Sequence, residues 1–138
     1  MKKYKLELTE KQVGVVAEAL EFFSRFSAGQ FTMFPRSLEG WTWEKWSGDE
    51  YQRRREIWEG CLNQAKMQMF DMHPNASLGI GNEELTEEAK VAYDIYRPIL
   101  EQFAKESREN NPDRSWNVYD SPGLTYSKEG RVDVKIED

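Results

Sequence analysis

The first long apolar pattern in the chain is TEKQVGVVAEALEFFSRFS, which covers residues Thr9 to Ser27. Its first four residues match a capping box, in which the Thr9 hydroxyl accepts from the amide of Gln12 and the Gln12 side chain reaches back to the Thr9 amide. Gly29 follows shortly after, and glycine commonly ends helices. We therefore predict a helix that begins after Thr9 and ends near Ser27.

This predicted helix carries apolar side chains on two faces. One stripe contains Val13, Val16, Ala17, Leu20 and Phe23, and a second contains Val15, Ala19, Phe22 and Phe26. A helix that is apolar over most of its circumference is usually buried from more than one direction. In so short a chain, this pattern predicts a subunit interface in addition to a core, and hence a homo-oligomer.

Two further helices are expected downstream. The segment SGDE, residues 47–50, matches a second capping box, so a second helix should begin there and end near Met72. A third helical pattern starts at Leu85 and ends near Asn110. Pro98 lies inside this third pattern, where it removes one backbone hydrogen bond and should kink the helix.

The remaining segments are predicted to be loops and short strands. Residues 30–43 lack a helical period and contain Pro35 and Gly40, so they are expected to form a long loop. Short strands are predicted at residues 4–8, 116–119, 124–126 and 132–136. The expected fold is a single α+β domain over residues 1–138, with three main helices and a small antiparallel sheet formed by the N-terminal strand and the C-terminal strands.

Composition excludes several functional classes. The 138 residues carry a net charge of -6, which disfavours duplex nucleic-acid binding driven by phosphate neutralisation. No segment approaches the roughly 20 apolar residues of a membrane span, and the N-terminus lacks the apolar run of a secretory signal. The single cysteine, Cys61, excludes a disulfide framework and a cysteine-based zinc site, and we expect it to be a small core residue. The sequence thus indicates an intracellular protein for which no metal or cofactor is predicted.

The second predicted helix carries three consecutive arginines beside an aromatic strip. The strip contains Tyr51, Trp58, Leu62, Ala65 and Met69. Arg54 and Arg55 fall on its flanks, whereas Arg53 should point the opposite way. A guanidinium group can hold phosphate or carboxylate through paired hydrogen bonds and can also stack on an aromatic ring. The alternative is that these arginines pair with neighbouring glutamates or lie along the helix surface.

Other aromatic and amide side chains complete a candidate nucleotide site. Trp116 or Tyr119 would stack on the base, and Asn75 or Asn82 would bind its edge. The phosphates would be held by arginines, a set that includes Arg25, Arg36, Arg54, Arg55 and Arg114. His73 is the only histidine and lies in a predicted loop, and any Ser-His-Asp or Cys-His arrangement would have to use it. We therefore predict a binding protein rather than an enzyme.

Several motifs, taken in order along the chain, resemble a family of small bacteriophage and prophage proteins. They are Leu6–Thr9, Ala19–Arg25, Gly29–Phe31, Asn75–Ile80, Ala89–Tyr96 and Val118–Pro122. The pattern is similar to that of the first type of Thoeris anti-defence sponge proteins. The resemblance implies a phage protein in the host bacterial cytoplasm that sequesters cyclic ADP-ribose signals made by bacterial TIR-domain enzymes.

The resemblance also implies how subunits assemble. It implies dimers and hexamers, and in some members a second site between subunits that binds cyclic oligonucleotides. Arg25 and Gln30 match the Ser-Arg and Gly-Gln-Phe positions, which resemble the assembly-facing end of the first helix. The loop after the second helix offers Leu78 rather than an aromatic residue for stacking.

These observations lead to one functional prediction and two alternatives. The prediction is non-catalytic sequestration of a cyclic nucleotide signal in pockets between subunits. The alternatives are a phage accessory protein that inhibits a host protein by direct binding, and a hydrolase that uses His73 with the acidic residues 83–88. The predicted ligand-binding residues are Arg25, Gln30, Arg54, Arg55, Asn75, Asn82, Arg114, Trp116 and Tyr119.

Overall fold

The computed structural model describes residues 1–138 and contains four α-helices and no strand. The helices are α1 (Glu10–Ser27), α2 (Arg36–Trp46), α3 (Gly48–Phe70) and α4 (Glu87–Asn110), followed by one turn of 3-10 helix at Val118–Asp120. The expected α+β fold with an antiparallel sheet is therefore wrong. None of the four helices combines the length and the apolar character that a bilayer crossing requires.

The predicted start and end of α1 are confirmed. The Gln12 amide donates to the Thr9 hydroxyl at 3.3 Å, and the Thr9 amide donates to the Gln12 side chain at 2.8 Å. The helix ends at Ser27, and the chain turns at Gly29 with a φ of +87°. Side chains other than glycine are strained at such a backbone angle, so the sequence and the turn agree here.

The core of the molecule lies between α1 and α4. The Ser24 hydroxyl near the end of α1 donates to the Ala89 carbonyl near the start of α4 at 3.0 Å, so the two helices run antiparallel. Ala17, Tyr96 and Ile99 are buried at the centre of this contact. Partly buried side chains pack around them: Val13, Val16, Leu20, Tyr93, Ile95, Leu100, Phe103 and Val134. One apolar stripe of α1 therefore faces α4, while Val15 of the other stripe remains exposed.

Pro98 lies within the continuous helix α4 and frees one carbonyl for another use. Because proline has no amide hydrogen, the Asp94 carbonyl lacks its helical donor. The amide of Val132 donates to this carbonyl at 3.2 Å. The helix thus stays intact at Pro98, and the carbonyl that Pro98 leaves without a helical donor binds the C-terminal segment instead.

The C-terminal segment crosses α4 without forming the predicted strands. The fully buried Asp94 carboxylate accepts from the Tyr126 amide and from both the amide and the hydroxyl of Ser127. Farther along, Glu101 accepts from the Gly123 amide at 2.9 Å and pairs with Arg131. The alternation at 124–126 and 132–136 predicts strands, but the Tyr126 amide donates to the Asp94 side chain and the Val132 amide to the Asp94 carbonyl instead of to a neighbouring strand.

The predicted N-terminal strand at residues 4–8 is also absent. Tyr4 and Leu6 are 79% and 78% exposed, and no backbone of the same chain pairs with them. A short alternating segment forms a strand only where a neighbouring strand supplies hydrogen bonds. The chain contains no other strand with which residues 4–8 could pair.

The second half of the predicted loop 30–43 is helical. Pro35 precedes the first turn of α2, and proline is well suited to the start of a helix because its φ is already fixed. The next helix, α3, follows after Ser47, although the Ser47 side chain makes none of the capping bonds that the sequence predicted. It ends at Phe70, close to the predicted Met72, with Asp71 in the left-handed conformation.

Candidate functional site: the α2–α3 hairpin

A row of aromatic rings joins the two helices of the α2–α3 hairpin, residues 36–70. The rings of Trp43 and Tyr51 meet edge to face with centroids 5.0 Å apart, and Tyr51 meets Trp58 in the same way at 5.8 Å. Phe34, just before α2, contacts the other side of Trp58 at 6.1 Å. Edge-to-face pairs hold rings in defined orientations, so Trp58 is fixed from two sides.

Cationic side chains lie against the outer aromatic rings of the hairpin. The guanidinium carbon of Arg54 is 3.6 Å from the centroid of the Trp46 ring. The Lys45 ammonium lies 4.7 Å from the Trp41 centroid and 5.1 Å from the Trp46 centroid. Stacking of a guanidinium on indole orients its donors toward the side, where a planar anion can receive them.

Two cavities lie in the hairpin and share the side chains of Thr42 and Trp58. The first, which we call the narrow cavity, has a volume of about 150 Å³. It is lined by Thr32, Phe34, Leu38, Glu39, Thr42, Tyr51, Arg55, Trp58 and Glu59. The second, the open cavity, has a volume of about 380 Å³. It is lined by Thr42, Trp46, Arg53, Arg54, Ile57 and Trp58.

The open cavity carries more positive than negative charge. Glu50 accepts from Arg53 at 2.9 Å and from Arg54 at 2.7 Å, so one carboxylate is shared by two guanidinium groups. The hydrogen bonds from these two arginines hold the pKa of Glu50 below its usual range. Arg53 therefore lies with Arg54, and the expectation that it points the opposite way is wrong. The shared glutamate leaves a net positive charge at this cavity.

Arg55 is placed differently from its two neighbours. It lines the narrow cavity and donates to Glu59 at 2.7 Å. That hydrogen bond raises the pKa of Arg55. The charge of Arg55 is thus neutralised by one glutamate. This agrees with the alternative interpretation, in which the arginines pair with neighbouring glutamates.

Arg25 and Gln30 lie together at the C-terminal end of α1, away from both cavities. Arg25 donates to Gln30 at 2.9 Å and to Glu21 at 3.0 Å. Burial lowers the pKa of Arg25, but the Glu21 carboxylate more than offsets this effect, so the pKa is raised overall. Tyr119 belongs to the same end of the molecule, where the Arg97 guanidinium lies 4.7 Å from its ring centroid.

Both terminal nitrogens of Arg114 donate to protein groups, whereas its buried Nε has no hydrogen-bond partner. It donates to Asp120 at 2.9 Å and to the Ala104 carbonyl at 2.7 Å, and its side chain is 13% exposed. These bonds connect the end of α4 to the turn at Val118–Asp120. The position of Arg114 is therefore explained by its structural contacts.

The other predicted ligand residues lie outside both cavities. Trp116 lies beyond α4 and is 64% exposed. Asn75 is exposed in the loop after α3, where its backbone amide donates to the His73 side chain at 3.1 Å. The Asn82 side chain accepts from the Glu84 amide at 2.8 Å and so stabilises a turn. Cys61, expected in the core, is exposed, because this face of α3 packs against no other helix.

Sequence reasoning overlooked Trp46, Thr42 and Arg53 as members of one site. Thr42 and Trp46 belong to α2, most of which lies in the predicted loop at residues 30–43. The sequence prediction therefore places the two residues on no common helix. The sequence signal was available in the four-residue interval between them, which places them on one face of a helix. Neither a protein-family model nor a curated protein nor a solved structure matches the chain.

Proposed function

We propose that the protein is a non-catalytic binding protein that sequesters a cyclic nucleotide signal at the α2–α3 hairpin. The main support is the Arg54 guanidinium stacked on Trp46 at 3.6 Å, beside an open cavity that also contains Arg53. A nucleotide combines a planar ring with negative charge. The combination of exposed rings with oriented guanidinium groups suits such a molecule.

The resemblance to Thoeris anti-defence sponge proteins supports a cyclic ADP-ribose isomer as the signal. In this proposal the protein is made by a phage, acts in the host cytoplasm and removes the signal from solution without altering it. Tight binding would suffice for this role, because each occupied site lowers the free concentration of the signal.

We further propose that a second copy of the chain completes the binding pocket. The open cavity is wide, and Trp41, Trp43 and Ile57 on the same hairpin are more than half exposed. Contact with another subunit would cover these side chains and enclose the ligand, as most small-molecule sites do. Dimers, and hexamers built from them, are the assemblies expected from the resemblance.

A release experiment tests this function. The purified chain is incubated with a cyclic ADP-ribose isomer, passed through a desalting column and denatured, and the released molecule is identified by mass spectrometry. We expect intact signal in stoichiometric amount, and about tenfold less retained by Arg54→Ala at limiting concentration. Arg36→Ala, which removes an exposed arginine of α2 that lines neither cavity, should retain as much signal as the unchanged chain.

Two outcomes would overturn the proposal. A converted product in place of intact signal would show an enzyme, and no released molecule would show that the chain does not bind the signal. The second outcome would favour the other candidate function, inhibition of a host protein. The exposed rings of Trp41 and Trp43 would suit such an interface, and a heterocomplex stable to added nucleotide would demonstrate it.

A further inference from the structure

We infer that the narrow and open cavities form one bipartite pocket, in which the narrow cavity takes the planar ring of a nucleotide and the open cavity takes its phosphate. This inference rests on the proposed function and assigns the parts of the ligand to parts of the site. The cavities meet at Thr42 and Trp58, which line both. A ligand that spans both cavities must therefore pass Trp58.

The first argument is an unpaired donor at this junction. The indole Nε1 of Trp58 is buried and has no hydrogen-bond acceptor. A buried donor without a partner is unfavourable, and most such groups in proteins are paired. The rings of Phe34 and Tyr51 hold the indole in place, so it cannot easily turn toward another acceptor. Because this nitrogen has almost no accessible surface in the empty cavities, an acceptor on the edge of an entering ring reaches it only if neighbouring side chains shift slightly.

The second argument is the size and lining of the narrow cavity. Its volume of about 150 Å³ lies below the roughly 300–1,000 Å³ of pockets that hold whole drug-sized ligands. It can therefore hold a ring system but not an entire nucleotide. Phe34, Leu38 and Tyr51 supply apolar walls, Glu59 neutralises Arg55, and Glu39 leaves one further carboxylate that disfavours a phosphate. These properties favour the uncharged part of the ligand.

The third argument is the charge of the open cavity. Arg53 and Arg54 both line it and share Glu50, which leaves one positive charge without a matching carboxylate. The Trp46 ring fixes the plane of the Arg54 guanidinium. A phosphate in this cavity would receive hydrogen bonds from an oriented donor group rather than from a freely rotating one. The arrangement predicts that Arg53 and Arg54 contribute more to affinity than Arg55 does.

Nuclear magnetic resonance with selected probe molecules tests the assignment. The chain has five tryptophans, and Trp58→Phe identifies the Trp58 indole signal by its loss. Adenosine 5′-monophosphate should shift both the Trp58 indole N–H signal and the Arg54 Nε–H signal. Adenosine should shift only the indole signal, and ribose 5-phosphate only the arginine signal.

Affinities of the variants provide a second readout by calorimetry. For adenosine 5′-monophosphate we expect Trp58→Phe to weaken binding about tenfold, and Arg54→Gln or Arg53→Gln by a similar factor. Arg55→Gln should change binding less than threefold, and Lys105→Gln, an exposed control on α4 outside both cavities, should leave it unchanged. Triple-resonance assignment of the unchanged chain identifies the Trp58 indole signal independently, so the shift test stays valid if a variant fails to fold.

The outcomes separate this inference from the proposed function. If the release experiment recovers intact signal while the Trp58 indole signal does not move and Arg54→Gln binds normally, the bipartite pocket is wrong and the function stands. If neither the signal nor adenosine 5′-monophosphate binds at all, both proposals are wrong. If ribose 5-phosphate shifts the indole signal, the ring and phosphate assignments are wrong.

Discussion

Asp120 shows how strongly one side chain can organise a short segment. Its carboxylate accepts from Arg108 at 3.0 Å, from Arg114 at 2.9 Å and from the Asn117 amide at 2.8 Å. The hydrogen bonds from Arg114 and Arg108 hold the pKa of Asp120 well below its usual range. The stability that the carboxylate contributes is therefore present above the pKa of an unfolded Asp, about 3.9, and is lost as the pH falls below it.

We expect Asp120→Asn to lower the free energy of unfolding at neutral pH, because a neutral amide cannot serve two guanidinium groups. The difference from the unchanged chain should shrink as the pH is lowered from about 5 to about 3, since the unchanged chain then loses the same contribution. Urea unfolding followed by tryptophan fluorescence at several pH values measures this difference. A difference that stays constant over the whole pH range would contradict the assigned role of the ionised carboxylate.

Lys66 is the one buried residue of α3 and connects that helix to the following loop. Its ammonium donates to the Pro74 carbonyl at 2.8 Å and also to the Ala76 carbonyl. Burial lowers the pKa of Lys66, so the charged form is disfavoured, and this cost is relieved as the pH rises toward the unfolded value of about 10.4.

We expect Lys66→Met to destabilise the fold by about 1–3 kcal/mol at neutral pH, because both carbonyls lose their donor. Lys105→Met, at an exposed position of α4, should change stability by less than about 0.5 kcal/mol and serves as the control. Thermal and urea unfolding would measure both. Equal stability of the two variants would show that the ammonium bonds contribute nothing.

At the scale of elements, α4 contributes most to the fold because it binds the C-terminal segment as well as α1. Asp94 supplies both its carboxylate and its carbonyl for this purpose. We expect Asp94→Asn to increase amide hydrogen exchange at Tyr126 and Ser127 by about ten- to a hundredfold, because the ionised acceptor is lost.

Pro98→Ala is the matched comparison. Its new amide would compete with Val132 for the Asp94 carbonyl, so exchange should increase at Val132 while Tyr126 and Ser127 remain protected. Mass spectrometry or nuclear magnetic resonance of exchanged samples would resolve these amides. Equal effects of the two variants on all three amides would mean that the segment opens as one unit.

Glycine substitutions test whether residues 36–46 form a helix rather than the loop expected from sequence. A Cβ added at Gly40, in the middle of α2, meets nothing within 4 Å. Gly40→Ala should therefore stabilise the fold by about 0.5–1 kcal/mol, as alanine does inside a helix. Gly29→Ala should destabilise it, because φ is +87° there. A destabilised Gly40→Ala variant would contradict the helical assignment.

The elements differ in how much of them the sequence predicts. The start of α1 is encoded by Thr9 and Gln12. Their capping bonds are made with each other, so the sequence around them was enough to predict where the helix begins. The helix α2 has no apolar stripe and forms beside α3. A pattern within residues 36–46 alone does not show this contact with α3. The segments at 124–126 and 132–136 alternate as strands do, but the Tyr126 and Val132 amides donate to Asp94 of α4. No local pattern in these segments specifies that pairing.

At the scale of the whole molecule, the chain exposes 10167 Å² of surface, against roughly 7,500 Å² for a folded monomer of 16.3 kDa. Only 16 of 138 residues are buried, and Val15 and Ala19 of the second apolar stripe of α1 are exposed. The sequence anticipated this second apolar face of α1. The sequence pattern located Arg54 and Arg55 but neither Arg53 nor the cavities, because the cavities depend on how α2 packs against α3.

We expect the chain to be a dimer or a larger homo-oligomer at micromolar concentration, because association would cover these side chains. Val15→Glu should shift the equilibrium toward monomer by at least about tenfold, since it places a charge in the interface. Lys11→Glu, at an exposed polar position of the same helix, should not. Native mass spectrometry and sedimentation would measure the assembly, and a monomeric unchanged chain at all concentrations would contradict the expectation.

The attachment of the α2–α3 hairpin has a consequence for how such a protein can change over generations. Two contacts join the hairpin to α1. Phe31 is buried, stacks on Phe26 at 3.9 Å and meets Phe70 edge to face at 5.6 Å, and the Ser37 amide donates to Glu18 at 2.7 Å. Most substitutions in the cavities of the hairpin therefore leave the contacts between α1 and α4 untouched. Under the proposed function, selection can alter what the hairpin binds while the rest of the chain continues to fold, so related chains would diverge in ligand without losing their shared framework.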